Sequence, residues 1–347
     1  MRVGVDVMGG DHAPDDILKG CIDALGDLAP GEEIVLIGPE DLIREHLSER
    51  GVDDPRLVIE HAPDTIAMHD SPARAVRAMP NSSIVRMAMM GAGKLESKID
   101  VALSAGNTGA CVAASIMHMK RLTGVHRPGI AVTIPAFHGP VVLCDAGANP
   151  EPRGTHLWQY GVMAEIFAKQ SLGIESPRVA LMNIGAEEAK GSDLVKEARE
   201  LLQATPDLNF IGYVEGRDFF AGAADVIITD GFVGNTVLKM AEGLAKSLFQ
   251  AIAAEIFEQD PELAIKFEPV VKSIYAKNDY HEHGGAPLLG VRGAMMIAHG
   301  SSEARTIRAA VRNSLSFVRH GINEAVAERI AAVAHVEEAV RQGAAPA

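Results

Sequence analysis

Apolar positions along the chain come in two rhythms. Short β-branched runs lie at 3–7, 34–37, 57–59, 100–104, 130–134, 141–145, 178–184, 209–214 and 225–230, and longer stretches with apolar residues at helical spacing separate them. The first rhythm predicts nine strands, and the alternation predicts an α/β fold with a mostly parallel sheet covered by helices on both faces. After the first strand, Ile17, Cys21, Leu25 and Leu28 form one helical stripe. Pro14 suits the first turn of that helix, with Asp15 and Asp16 at the positive end of its dipole. Residues 1–335 read as a single α/β domain with a helical excursion at about 245–280, and 336–347 as a frayed tail.

Five of the predicted strands run into a glycine-rich polar turn and then a helix: VDV-MGGDHAP, ALS-AGNTGA, VLC-DAGAN, LMN-IGAEEAKG and IIT-DGFVGN. In an open parallel sheet such turns share the carboxyl edge, where ligands bind. Glycine lets backbone N–H groups approach an anion, and the helix N-termini that follow favour negative charge. One such turn alone is equally an ordinary βα connection, which needs Gly, Asn and Asp to bend and cap. Five together predict a substrate- and phosphate-binding site at Gly9, Gly10, Asp11, Ser104, Gly106, Asn107, Thr108, Gly109, Asn183, Asp230, Gly231 and Asn235, with Asp230 and Asn235 orienting Lys190 or His12 or else only capping their helix. Asp6, earlier in the first stretch, orients its loop.

Charge narrows the ligand. The 347 residues carry a formal charge of −14 and only 4% aromatics, which argues against nucleic acid, since phosphate backbones need basic footprints and single strands need stacking platforms. A small anion held locally by N–H groups and one or two cations remains compatible. Cys21, Cys111 and Cys144 are too few and too scattered for a disulfide framework or a zinc cluster, so a reducing cytoplasm fits. The N-terminus lacks the apolar core of a signal peptide, and no stretch reaches the roughly 18 apolar residues of a membrane span.

Familiar catalytic signatures are absent. The chain has no G-x-G-x-x-G, and MGAGKLES lacks the upstream Gly and the Ser/Thr of a P-loop. Ser104 has no G-x-S-x-G elbow around it, and Cys111 and Cys144 read as packed thiols on a helix and a strand. The run His281-Glu282-His283 lacks H-E-x-x-H spacing and reads as a solvated loop, so no metal is expected.

Seven motifs in order, DVMGGDHAP (6–14), SAGNTGA (104–110), DAGAN (145–149), NIGAEEAKG (183–191), DGFVGNTVLKMAEG (230–243), GGAPLLGVRG (284–293) and AHGSS (298–302), make residues 1 to about 325 closely resemble the PlsX family of bacterial phosphate acyltransferases. The resemblance implies a Rossmann-like α/β/α sandwich related to phosphotransacetylases and isopropylmalate dehydrogenase-like enzymes. It implies conversion of acyl-acyl carrier protein and inorganic phosphate to acyl-phosphate and free carrier protein, feeding glycerol-3-phosphate acylation in phospholipid synthesis. It further implies no cofactor, a homodimer, peripheral contact with the inner face of the cell membrane, and hand-off to a membrane glycerol-3-phosphate acyltransferase. Two stretches depart from the family pattern: Pro150-Glu151-Pro152 follows DAGAN, and 78–98 is longer or altered, with Ser82, Ser83 and Arg86 still matching and the loop after them peculiar to this chain.

Phosphate is itself a nucleophile, so the chemistry asks for positioning and charge control more than for an activated Ser or Cys. Lys190 is the candidate cation to hold it, or else a solvated helix lysine. His12 is the candidate acid–base group, or else the start of its own helix. An acidic carrier protein needs a local basic patch, for which Arg121, Arg127, Arg292, Arg305, Arg308, Arg312 and Lys272 are candidates. The apolar rows Leu248, Ile252, Ile256 and Phe249, Ala253, Phe257 suit core or dimer packing better than a membrane, because their polar neighbours are acidic. Rival readings are a short-chain phosphotransacylase acting on acyl-CoA and a non-catalytic scaffold for lipid synthesis.

Overall fold

All nine predicted strands form: β1 (Arg2–Asp6), β2 (Glu33–Gly38), β3 (Leu57–His61), β4 (Val101–Ser104), β5 (Gly129–Ile134), β6 (Val141–Cys144), β7 (Val179–Met182), β8 (Phe210–Val214) and β9 (Val226–Ile228). Two more, β10 (Ala286–Leu289) and β11 (Ala294–Ile297), join them. The structure is a computed structural model that describes residues 1–136, 138–259 and 284–343, with 263, 266, 267, 269 and 270 between. The helices are α1 (Asp15–Ala24), α2 (Glu40–Glu49), α3 (Pro72–Ala78), α4 (Ser83–Gly91), α5 (Thr108–Ala114, continued by a π turn over Ser115–Met119) and α6 (Gly154–Leu172). After them come α7 (Asp193–Gln203), α8 (Gly231–Gln259), α9 (Ala304–Arg319), α10 (Ile322–Ala332) and α11 (His335–Arg341).

The eleven described strands make one sheet in the order β3-β2-β1-β4-β11-β10-β5-β6-β9-β7-β8. Pairing is parallel from β3 to β11 and again from β6 to β8, but β10 is antiparallel to both β11 and β5, and β5 is antiparallel to β6. The two parallel blocks therefore point in opposite directions. This corrects the expectation that all five glycine-rich turns share one edge: the turns after β1 and β4 leave by one edge, those after β6, β7 and β9 by the other. The cause is three antiparallel pairings in mid-sheet, β11–β10, β10–β5 and β5–β6, an odd number of reversals, two of them hairpins. Gly290–Gly293 turns β10 into β11, and the Pro135–Pro140 connection turns β5 into β6, so neither crossing has the helical return that keeps neighbours parallel.

Alternation along the strands divides the core between two faces. Val3, Val5, Val101, Leu103, Val142, Cys144 and Ile228 contribute to one continuous apolar cluster under α1, α6 and α9. On the opposite face Val35, Ile37 and Ala102 lie under α4 and α5, while Leu143, Ala180 and Ile227 form a separate cluster against Val237 and Leu238 of α8. Half-buried Val132 of β5 packs against both clusters. The chain's last part returns to its beginning. Gly20 of α1 crosses α9 where a Cβ would lie 2.6 Å from Ile307 Cβ, and Arg308 of α9 donates to Asp27 at 2.7 and 2.9 Å. Val336 of α11 is buried, so the chain is packed through that helix rather than frayed from residue 336, and residues 344–347 lie outside the described ones. Of the excursion expected at 245–280, α8 covers the beginning and the stretch from 271 to 280 lies outside the described residues.

Candidate active site

The predicted site residues fall into two groups. Gly9, Gly10, Asp11, His12, Ser104, Gly106, Asn107, Thr108 and Gly109 stand at the β1 edge, and Asn183, Lys190, Asp230, Gly231 and Asn235 at the β6 edge. His12 follows β1 and Lys190 follows β7, seven positions apart in the strand order. At about 4.8 Å per strand that is roughly 34 Å along an untwisted sheet. One protomer does not bring the two expected catalytic groups together.

At the β1 edge a buried carboxylate holds the turns. Asp6, at the end of β1, accepts from the Ser104 hydroxyl at 2.7 Å and from Met8 N–H at 3.1 Å, and Ser104 Oγ in turn accepts from Gly106 N–H at 3.0 Å. Gly9 lies on this knot so closely that a Cβ would sit 2.6 Å from Asp6 Oδ2 and 2.7 Å from Gly106 N. Burial pushes the Asp6 carboxyl above its ordinary value, against the hydrogen bonds from Ser83, Ser104 and Met8. Asp6 thus orients the loop, as expected. Two further segments complete this edge. Asp11 N–H donates to Gly300 O at 2.7 Å, and the Asn107 amide donates to Ala67 O, Met68 O and Asp70 O while capping α5 through Ala110 N–H. His12 is exposed, and its imidazole makes no hydrogen bond among the described residues. His299, bonded to Ser301 at 2.8 Å, is a second imidazole on this edge that motif reading left without a role.

The β6 edge is built on adjacent strands β6, β9 and β7. Asp145 is wholly buried; Oδ1 accepts from Ile130, Gly147 and Ala148 N–H at 2.9, 3.2 and 3.0 Å, and Oδ2 accepts from Asn149 N–H at 2.7 Å. Burial raises this carboxyl, and the four donors pull the other way. The Asn149 amide donates to Pro128 O and to Tyr160 Oη, both at 2.7 Å, and Asn149 O accepts from Gly231 N–H at 2.8 Å. The turn after β6 is therefore fastened to the start of α8. A Cβ on Gly231 would lie 2.8 Å from both Asp145 Oδ2 and Asn149 O. One on Gly234 would collide with the Asp145 carbonyl. Only glycine lets α8 begin here.

Asp230 caps α8 by accepting from Val233 N–H at 2.8 Å, and the Asn235 side chain lies over Gly147. Beside them the Asn183 amide donates to Gly185 O at 3.0 Å and Lys190 O at 3.2 Å, closing the turn that carries Lys190. The Lys190 ammonium is half exposed and pairs with exposed Glu187 at 2.8 Å, a solvent-screened contact that an anion can exchange for. The edge thus holds an ammonium on a turn closed by Asn183, side-chain amides and the positive end of a 29-residue helix fastened to the buried Asp145 turn. The motif reading missed Tyr160, whose link to Asn149 has no sequence signature.

The thiols take no part. Cys111 and Cys144 are buried, the first pushed up to about 12 and the second well above its usual value by loss of solvent, so neither offers a thiolate. Among the described residues no group of His, Cys, Asp and Glu could hold a metal ion, and His281–His283 lie outside them.

A model of the family described as "fatty acid synthesis protein" matches residues 1–325. The chain belongs to this family, PlsX. PlsX relatives named phosphate acyltransferase include that of Desulforamulus reducens, 42% identical over 340 residues, which are 97% of this chain and 100% of the relative. That of Desulfitobacterium hafniense is 43% identical over 335 residues, 95% of this chain and 98% of the relative. The PlsX chain is thus an acyltransferase of fatty acid and phospholipid synthesis. Its fold is similar to a phosphotransacetylase from Streptococcus pyogenes (TM-score 0.63, 16% identity, 91% of this chain and 93% of that one). It is also similar to a branched-chain phosphotransacylase from Enterococcus faecalis (TM-score 0.55, 14% identity, 92% and 99%). The related fold implied by the motifs is the fold observed.

Proposed function

We propose that this acyltransferase moves an acyl group from an acyl carrier protein thioester to inorganic phosphate at the β6 edge, and that the acyl-phosphate feeds acylation of glycerol 3-phosphate. The observation that carries the reading is the fastening of three neighbouring polar turns, after β6, β9 and β7, around Asp145, Asn149, Asp230 and Asn183, with Lys190 on the outermost. A dianion needs donors fixed before it arrives, and these turns are fixed from within.

In this reading Lys190 exchanges Glu187 for phosphate, and the first turn of α8 favours the negative charge gathering on the thioester oxygen. A phosphate oxygen attacks the thioester carbon, forming the C–O bond. The tetrahedral intermediate collapses with cleavage of C–S, and the proton brought by hydrogen phosphate leaves on the carrier thiol. The apolar side chains around half-buried Val132, where the two clusters meet, suit the acyl chain. The exposed row Met240, Leu244, Leu248 and Ile252 on α8 is not core of this chain and supports the homodimer; peripheral membrane contact is its alternative occupant. Among the described residues no helix is long and apolar enough to cross a membrane.

The test supplies acyl-carrier protein and phosphate and measures thiol release together with hydroxylamine-trapped acyl-phosphate. Phosphate-dependent formation of both supports the reading. Turnover of acetyl-CoA alone, or none, overturns it.

A further inference from the structure

Within a chain of charge −14, the β6 edge carries an unpaired cationic cluster beside the proposed reaction centre. Arg127 stands two residues before β5, and Arg153 stands at the start of α6, just after the Asp145 turn. Both are exposed, and neither guanidinium has a hydrogen bond or ion pair among the described residues. Between them lie His126 and His156, ring to ring at 6.1 Å, edge to face. His156 Nδ1 accepts from Arg153 N–H at 3.0 Å, which leaves that ring neutral and directs no positive charge of its own against the arginines. Burial, with the charges of His126, Arg127, Arg153 and Arg121, holds His156 down at about 4. The loop that carries Arg121 and His126 is itself fixed: Arg121 donates to Val125 O and His126 O, and His126 N–H donates to Gln159 Oε1 at 2.8 Å.

Like-charged, unpaired guanidiniums on a rigid loop and a helix start gain nothing from each other. They gain when an anionic surface meets them. In the other arginine row, Arg308 instead ties α9 to Asp27 next to α1.

We propose that Arg127 and Arg153 form the docking surface for the acidic carrier protein that brings the acyl thioester. The proposal rests on the carrier-protein reading of the function. Pro128, next to Arg127, accepts from the Asn149 amide, so the cluster adjoins the Asp145 turn and a flexible prosthetic arm need reach only over that turn. A membrane surface fits the cluster less well. Interfacial anchors place basic and apolar side chains on one surface, whereas α6 and the exposed row of α8 lie on opposite faces of the sheet.

The experiment compares the wild-type protein with Arg127→Glu/Arg153→Glu and Arg127→Lys/Arg153→Lys. With acyl-carrier protein as substrate, the Glu pair raises its KM at least tenfold and removes most of its salt dependence, while phosphate KM and melting temperature stay unchanged; the Lys pair stays within threefold of wild type. An unchanged carrier-protein KM in the Glu pair overturns the docking assignment. So does loss of binding to anionic phosphatidylglycerol vesicles with carrier-protein KM intact, which would assign the cluster to lipid. Absence of phosphate-dependent turnover in the wild-type protein sinks the functional reading itself and is seen before any variant is made.

Discussion

His12 and Lys190 stand on opposite edges of one sheet, seven strand positions apart. The two residues that motif reading pairs as acid–base and cation therefore answer to different surroundings: His12 sits on a loop held by Asp6 and Ser104, Lys190 on one held by Asn183. Mutations at the two positions separate in kinetics rather than compound.

Gly231→Ala tests the fastening of α8 to the Asp145 turn. A Cβ 2.8 Å from both Asp145 Oδ2 and Asn149 O forces the turn open, so the variant loses about 1–3 kcal/mol in denaturant unfolding. Gly243→Ala, on the same helix with nothing within 4 Å of a new Cβ, is neutral or gains about 0.5–1 kcal/mol. Equal effects from the two would show that the contact is unimportant.

Ser104→Ala removes a donor to the buried Asp6 carboxylate, a loss of about 1–3 kcal/mol at neutral pH. Its pH dependence has a definite sign. The Asp6 carboxyl is raised in the folded state above 3.8, so the folded protein binds more protons than the unfolded chain just above that pH, and ionising Asp6 opposes folding as pH rises. The missing hydroxyl matters most when Asp6 is charged. The difference between wild type and variant in urea midpoint shrinks as pH falls toward 3.8.

His156→Gln tests the cationic surroundings of that ring. With the imidazole at about 4 in the folded state and 6.5 when unfolded, the unfolded chain takes up the extra proton between those values. Stability is therefore fully present above 6.5 and declines as pH falls to 4. Gln retains an acceptor for Arg153 N–H without titrating, so its melting temperature falls less steeply across that window. Parallel curves would place the acid sensitivity elsewhere.

Most of the fold was legible because nine strands are short apolar runs set off by turn residues and helical stripes. Strands β10 and β11 were not, although PLL and AMMI flank Gly290–Gly293, because the glycines on either side made GGAPLLGVRG stand out as a motif rather than as a strand and its turn. Missing that hairpin concealed the reversal of direction across the sheet, and with it the separation of the two groups of turns. Local turn chemistry was readable in DAGAN and DGFVGN. The carboxylate–hydroxyl bond between Asp6 and Ser104, and the Asn149–Tyr160 link, depend on how distant segments meet, which no spacing encodes.

The claim that phosphate is handled at the β6 edge is tested most directly by phosphate KM in Lys190→Ala and His12→Ala, measured with saturating acyl-carrier protein. Phosphate KM rises at least tenfold in Lys190→Ala and less than threefold in His12→Ala, with both proteins folded. The opposite order, with phosphate KM following His12, would contradict it.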